Sequence, residues 1–368
     1  MPWSRRLPHR GSRRRSPALA STPAPTSAAN GGGLPPEEST VPSPFAPPDG
    51  GGIRPRTRRA PVPPLYVAQR LAQGVVTVVA VVAVVFLLLH LTGNPARVVS
   101  PPDATQDEID RIAHAYGFDQ PIAQQFVLFF GKAFTGHFPD SVTYGASSLG
   151  VVRDAIGPTL LLAGSAFVLG NLIGLVIGYL SAEARWRPLR RVPIVLALIG
   201  QAVPAFYLGL LAVLLLAVRL HWFPTAGYGS FSATVLPTLV LTASIVPGIT
   251  RIYRAQILEV RDDDHVVTAV AKGISPLQVR LRHIALNALG PAVALIGLQL
   301  GGVVAGAVTV EVIFNWPGMG QLLVSSINGR DYAVALTAVL FIAIGFVVAT
   351  VLADLAAALV DPFGHRRR

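Results

Sequence analysis

The sequence predicts an all-α integral membrane protein with six transmembrane helices and both termini on the cytoplasmic side. Three observations carry this reading. Only 13% of the 368 residues are Asp, Glu, Lys or Arg, and 52% are apolar, whereas soluble domains average about 25% charged residues. Six stretches lack all four charged types: 71–96, 155–182, 192–218, 220–250, 283–310 and 332–353. Each is long enough to supply the roughly 20 apolar residues that a helix needs to cross hydrocarbon. With both termini inside, the cytoplasmic segments hold 24 of the 30 Lys and Arg residues, the asymmetry that fixes topology.

The elements follow in order. Residues 1–62 are rich in Pro, Gly, Ser and Arg without hydrophobic periodicity, so they read as a disordered tail. Its arginines, among them Arg5, Arg13, Arg54 and Arg58, suit anionic lipid headgroups or simply enforce topology. Arg5-Arg6 is not followed by an apolar segment, so no twin-arginine signal is read. The six-helix domain is expected over 64–364, and its first span at 68–90. The loop 92–155 is expected outside, with a net charge of −3. Within it, Thr105 and Glu108 have capping-box spacing for a helix near 106–115. Residues 120–134 form an amphipathic stretch suited to the interface.

Span two is expected at 157–180. Gly170, Gly174 and Gly178 share one of its faces, as Gly297/Gly301 and Gly302/Gly306 do in span five, the spacing that lets helices approach closely in lipid. The remaining spans are expected at 193–218, 235–257, 288–310 and 333–358. Residues 312–329 are uncharged but broken by Pro317, Gly318 and Gly320, and read as a loop with a short or re-entrant helix.

Several function classes are excluded or disfavoured. There is no cysteine, hence no disulfide or thiolate site. No GxxxxGK[ST] motif and no HExxH motif occur, so no ATP site and no metal are assigned to this chain. No charged residue lies in the middle of a predicted span, which argues against coupling through an intramembrane carboxylate. The net charge of +11 is a topology signal and not a footprint for nucleic acid.

The cytoplasmic loop 259–287 is the most structured polar segment. Asp262, Asp263 and Asp264 suit a helix start. The following VVTAVAK ends at Gly273, a candidate left-handed cap. Ser275 and Pro276 then read as an N-cap with proline at the first helical position. Two short helices hinged at a glycine make either a docking socket or an ordinary amphipathic loop.

This loop resembles the cytoplasmic signature loop of ABC importer permeases, in the form found in the dipeptide/oligopeptide/nickel family. Thr268, Ala269, Ala271, Lys272 and Gly273 match, as do His283, Asn287, Ala288 and Pro291. The segment 296–323 is similar to the family's fifth span and following loop, through Glu311, Phe314, Trp316, Pro317, Gly318 and Gly320. Arg330-Asp331-Tyr332, Arg70-Leu71 and Gly93-Asn94-Pro95 extend the likeness, which covers about 64–364. Asn94 stands where the family has Asp, Val267 and Val270 where it often has Arg, and Gly290 where it has Leu.

The resemblance implies a type I ABC importer permease subunit in the cell membrane, not itself an enzyme. It would act with a second homologous permease, two cytoplasmic ATPases that carry Mg-ATP, and an external solute-binding protein. It implies that Asp264, Thr268, Ala269, Ala271, Lys272, Gly273 and Pro276 form the ATPase-coupling loop. The valines at 267 and 270 point to an apolar interface. Gln201, Pro204, Gln299 and Asn171 are polar or kinking positions within spans, suited to the path or to interhelical hydrogen bonds. Glu311, Trp316, Pro317 and Gly318 suit an external gate or a rigid turn. Di- and oligopeptides are the expected cargo. Nickel chelates or another small solute, a non-transporting scaffold or sensor, and an ion-coupled carrier are the alternatives.

Overall fold

The computed structural model describes residues 64–91, 96–97, 100 and 103–360. The tail at 1–62, Gly93-Asn94-Pro95 and residues 361–368 lie outside the described residues. Among the described residues there is no β-strand, only an isolated antiparallel bridge between Asp140 and Ser147.

The helices are α1 (Pro64–Leu91), α2 (Gln106–Tyr116), α3 (Ile122–Phe134), α4 (Ser148–Glu183) and α5 (Arg187–Ala202). Next come α6 (Ala205–Ala212), which runs on as a π-helical segment Val213–Arg219, and α7 (Phe231–Val260). After these follow α8 (Asp264–Ala271) and α9 (Pro276–Gln278), the latter continuing as a π-helical segment Val279–Ala285. The chain finishes with α10 (Leu289–Ile313), α11 (Met319–Asn328) and α12 (Tyr332–Val360).

Five of these, α1, α4, α7, α10 and α12, are long and apolar enough to cross a membrane. The third span, expected as one helix over 193–218, is instead α5 and α6 meeting at 103°. The cause is local. Pro204 has no N–H to donate and restricts the residue before it, and Val203 sits at φ −88°, ψ 122°. The expected interfacial helix at 120–134 is α3, and it packs inward. Phe126, Phe129 and Phe130 join Val82 and Phe86 of α1 and Tyr332, Leu336 and Val339 of α12 in one apolar cluster.

The centre of the fold is the pair α4–α7, the most extensive helix contact in the molecule. Gly170, Gly174 and Gly178 line up along it as the sequence spacing predicts. A Cβ at Gly170 would stand 2.7 Å from Ile245 Cβ, one at Gly174 2.8 Å from Ile249 Cβ, and one at Gly178 3.1 Å from the Thr250 carbonyl. The close approach lets the Thr250 hydroxyl donate across to the Gly174 carbonyl at 3.3 Å. Gly297 and Gly301 do the same for α10 against α12, facing Ala353 and Phe346. The second seam of α10 is only half used: Gly306 meets Leu241, and Gly302 faces open space. At about 1.5 Å per residue the 36-residue α4 is about 54 Å long, so it outreaches a hydrocarbon core of about 30 Å.

The helix near 106–115 opens as predicted. The Glu108 carboxylate accepts the Thr105 N–H at 2.9 Å and the Thr105 hydroxyl at 3.2 Å. These bonds, the backbone one first, hold the Glu108 carboxyl below its usual range.

Two predictions follow from this packing. Gly174→Ala should lower the thermal unfolding midpoint in detergent, by overpacking worth about 1–3 kcal/mol. Gly164→Ala, where no atom lies within 4 Å, should leave it unchanged, and equal effects would show that the seam does not matter. Because the folded Glu108 carboxyl titrates below its unfolded value, its cap is complete above the unfolded pKa and is lost as pH falls through the folded one. The protection factors of the amides at the start of α2, which remove the intrinsic pH dependence of exchange, should therefore fall at acid pH in the wild type and be pH-insensitive in Glu108→Gln.

Candidate functional site

Two polar constellations sit at opposite ends of α4. The first is the loop after α7. The N-terminal cap of α8 is Asp263, but its carboxylate makes no capping bond; it lies 3.6 Å from His265 Nδ1 instead. The exit from α8 is better built. Gly273 has φ +73°. Its N–H donates to the Val270 carbonyl at 3.0 Å, and the Ile274 N–H reaches the Ala269 carbonyl at 3.3 Å. This double bond pattern is a Schellman turn. Ile274 then packs into the cluster of Val266, Ala269, Val279 and Ile284. Ser275 caps α9 by accepting the Gln278 N–H at 3.4 Å, and Pro276 takes the first helical turn.

The loop is fastened to the bundle by charge and by packing. Glu183, the last residue of α4, pairs with Arg261 and lies 3.8 Å from Arg280 Nη1. Arg254 donates to the Ser181 carbonyl at 3.4 Å, and the Tyr253 hydroxyl donates to the Ala285 carbonyl at 3.0 Å. Asn287 Nδ2 donates to the His283 carbonyl at 2.6 Å and lies 3.1 Å from His265 Nε2. Of the loop residues expected to couple, Ala269 is buried, while Asp264, Thr268, Ala271, Lys272, Gly273 and Pro276 are exposed. Val267 and Val270 are each 60% exposed. The outward face of this anchored helix therefore carries two exposed valines among Asp264, Thr268 and Lys272.

The second constellation lies around α10's far end, about 36 Å along α4 at 1.5 Å per residue. Glu311 is fully buried. Its Oε1 accepts the Thr159 hydroxyl at 2.7 Å, and its Oε2 accepts the N–H of Gly320 at 2.6 Å and of Gln321 at 3.3 Å. Thr159 in turn accepts the Met319 N–H at 2.8 Å. Together they satisfy the first turn of α11, whose own cap residue Gly318 has no side chain to offer. A side chain at Gly318 would collide with the Glu311 carboxylate.

Asn315, at φ +46°, turns the chain out of α10 by a second Schellman pattern. The Trp316 N–H reaches the Glu311 carbonyl at 2.8 Å and the Asn315 N–H reaches Val312 at 3.4 Å. That turn drives Trp316 into the core, where its Nε1 donates to the Pro158 carbonyl at 3.0 Å and Tyr228 meets its ring edge-on at 4.8 Å. Glu311, Trp316 and Gly318 are thus enclosed within the chain, and Pro317 alone of the four is exposed.

A third feature is the break at Val203-Pro204. Gly200 packs on Pro247 of α7, and the neighbouring Gly248 faces Gln299 Nε2 of α10. Gln201 and Pro204 are exposed, and Gln299 Oε1 is buried without a hydrogen-bond partner. Asn171 lies elsewhere in the bundle wall, donating to the Phe167 carbonyl at 2.7 Å. Of the four polar span positions, Gln299 alone is thus placed against Pro247-Gly248, with Gly200 beside it. No group of three or more His, Asp or Glu able to hold a metal occurs among the described residues.

Comparison with known proteins now settles the class. The family model described as "Binding-protein-dependent transport system inner membrane component" matches residues 143–363, and the companion model for its N-terminal part matches 65–152. The chain belongs to this family. It is also 35% identical over 298 residues to the glutathione transport system permease protein GsiC of Escherichia coli strain K12, covering 81% of this chain and 97% of that one. The GsiC proteins of Salmonella choleraesuis and Shigella flexneri serotype 5b match over the same coverage at 35% and 34% identity. The protein is a permease subunit of an ABC importer and a multi-pass component of the inner membrane. The family implies further transporter components acting with it.

Sequence reading missed several parts of the permease's two constellations. Thr159 and Pro158 carried no signal, being a lone polar residue and a proline inside an apolar run. Glu183 stood at the edge of an uncharged stretch, where a charge reads as a boundary, and Arg261 was one of several loop arginines with no partner marked by spacing. Asp331 lay within the matched Arg-Asp-Tyr but had no role attached. It is buried, caps α12 through the Val334 N–H at 3.1 Å, and holds the loop at Ser141 and Thr143.

Removing the Glu311 acceptors strands buried donors, each worth about 1–3 kcal/mol. Glu311→Ala should therefore destabilise the permease and speed amide exchange at Gly320 and Gln321. Unchanged exchange at these two amides would show that the carboxylate is not their anchor.

Proposed function

We propose that this permease forms half of a translocation path for small peptides. An external binding protein delivers them, and two cytoplasmic ATPases drive their passage through the loop at 264–274. The observation that carries this reading is the anchored helix α8 with its two outward valines, Val267 and Val270. Such a face needs an apolar groove to cover it. A chain without a nucleotide motif has reason to carry it if the energy arrives from a separate subunit. Lysine and arginine bias supports the placement of this loop and of both termini in the cytoplasm. A second, homologous permease would complete the path.

The coupling route in this reading is α4. Arg261 and Arg280 grip its end at Glu183, and Thr159 and Pro158 on the same helix hold Glu311 and Trp316. A push on α8 is delivered to α4 and reaches the loop at 314–320, which serves as the gate. Glu311 and Trp316 act on it from within. Gln201, Pro204 and Gln299 mark the stretch of path where a broken helix and an unpartnered amide interrupt an apolar bundle, the arrangement in which irregular backbone is tolerated at membrane depth. Glutathione is itself a small peptide, so the substrate for which the relatives are named favours the peptide class over nickel chelates.

The test uses uptake of labelled glutathione and of di- and tripeptides in cells producing the full transporter, with copurification of the ATPases as a second readout. Gly273→Asp forces an L-residue into a left-handed turn at a cost of about 1–2 kcal/mol. Val267→Asp with Val270→Asp leaves that turn alone and charges the face. Both are expected to abolish ATPase copurification and uptake while the permease still reaches the membrane. Normal uptake by the double variant, or uptake that survives loss of the ATPases, would overturn the proposal.

A further inference from the structure

Two polar groups near Gly248 are enclosed without a partner. Gln299 Oε1 is one, and Arg251 Nε, one helical turn further along α7, is the other. No ion pair among the described residues includes Arg251. Arg254, three residues on, is by contrast spent on the Ser181 carbonyl at 3.4 Å. Arg251 stands about 8 Å past the midpoint of α7 at 1.5 Å per residue. A hydrocarbon core about 30 Å thick and centred on that helix encloses this position. A charge at such depth is expensive, and it marks a path or a counter-ion site.

The direction in which Arg251 leaves α7 follows from its neighbours. Pro247, four residues earlier, meets Gly200 of α5, and Gly248, three earlier, meets Gln299 and Leu295 of α10. Residues three and four apart share a helix face, so Arg251 points between α5 and α10. Both helices pack on α7, with no extensive contact between them. The resulting wedge adjoins the break at Val203-Pro204, the stretch assigned above to the path. No acid is at hand there. The helices α5 and α6 contain none, α7 has Glu259 eight residues further on, and Glu311 of α10 serves the start of α11. The chain thus sets a cation and an amide oxygen about one turn apart and supplies a counterpart to neither.

Building on the peptide cargo proposed above, we propose that Arg251 takes the C-terminal carboxylate of a peptide in transit and that Gln299 Oε1 accepts one of its backbone N–H groups. The spacing suits this. Gly248, against which Gln299 lies, and Arg251 are about 4.5 Å apart along α7, and an extended peptide advances about 3.3–3.6 Å per residue. A carboxylate held on the guanidinium therefore brings the adjoining N–H groups to the level of Gln299. A phosphate answers the arginine alone, whereas a peptide answers both groups. The bond to the carboxylate is charge-assisted, so the path itself selects for a free C-terminus.

The test uses the full transporter without its binding protein, whose own selectivity would mask that of the path. A dipeptide with a diazirine in its side chain is supplied either as the free acid or as the uncharged C-terminal amide. Photolabelled segments are mapped by mass spectrometry. The acid is expected to label α10 around Leu295 and Gln299 about tenfold more than the amide, the size of one charge-assisted bond. Arg251→Gln should level the two probes and Arg251→Lys should keep part of the preference, with copurified ATPases reporting that each variant assembles. Equal labelling by acid and amide in the wild type, the result expected if a lipid phosphate or an acid of the second permease occupies Arg251, would overturn the proposal. So would a preference that persists in Arg251→Gln. Uptake of the same dipeptide by cells producing the complete transporter separates the two levels of failure. Where uptake is intact, these results strike the role of Arg251 alone; where the wild type imports no peptide, the peptide cargo itself falls.

Discussion

In hydrocarbon every backbone N–H and C=O needs a partner supplied by the protein, and the irregular parts of this permease are organised around that demand. Helix interiors meet it for themselves. The difficulty lies where a helix starts or stops within or near the membrane, and there the permease uses buried side chains. Glu311 serves the first turn of α11 because Gly318 cannot. Asp331 serves the first turn of α12 and, with its other oxygen, the loop at 141–143. Each carboxylate is fully or almost fully enclosed, and each joins segments far apart in the chain.

The same demand explains the left-handed residues. Gly273, Asn315 and Arg330 all have positive φ, and each closes a helix by sending two N–H groups back to the last carbonyls. Only the first is a glycine. Asparagine tolerates this region of backbone space, and Arg330 is held there between α11 and the capped start of α12. These turns fix the direction of the chain where it leaves a helix, and so they place α9, Trp316 and Asp331. Between them, α4 provides the stiff connection, bound to α7 along a seam with no side chain on one side.

What the sequence made legible followed physical uniformity. Spans one, two, four, five and six are continuous apolar runs with ends that charges mark, and they became α1, α4, α7, α10 and α12. Gly170, Gly174 and Gly178 announced their face through spacing alone, as Gly273, Ser275 and Pro276 announced the turn between α8 and α9. The third span misled because its composition is uniform while its geometry is not. One proline within an apolar run is compatible with a kink or with a sharp corner, and tertiary contacts such as Gly200 on Pro247 accompany the corner. The triplet of aspartates misled in a smaller way. Asp263 occupies the cap position, yet its carboxylate turns to His265. The networks around Glu311 and Asp331 were illegible because they join residues more than 150 positions apart. No local pattern encodes such a pairing.

The outward valines of α8 have a consequence for the life of the polypeptide before assembly. Val267 and Val270 project from a rigid helix that the bundle holds in place whether or not another subunit covers it. If an ATPase covers this face as proposed, an unaccompanied copy displays a patch that the complete transporter hides, and exposed apolar surface of this kind invites aggregation or capture. The patch acts as a label of incompleteness. Accumulation of the permease is then tied to synthesis of its partners in matching amounts, a constraint set on the cell by two side chains on an eight-residue helix.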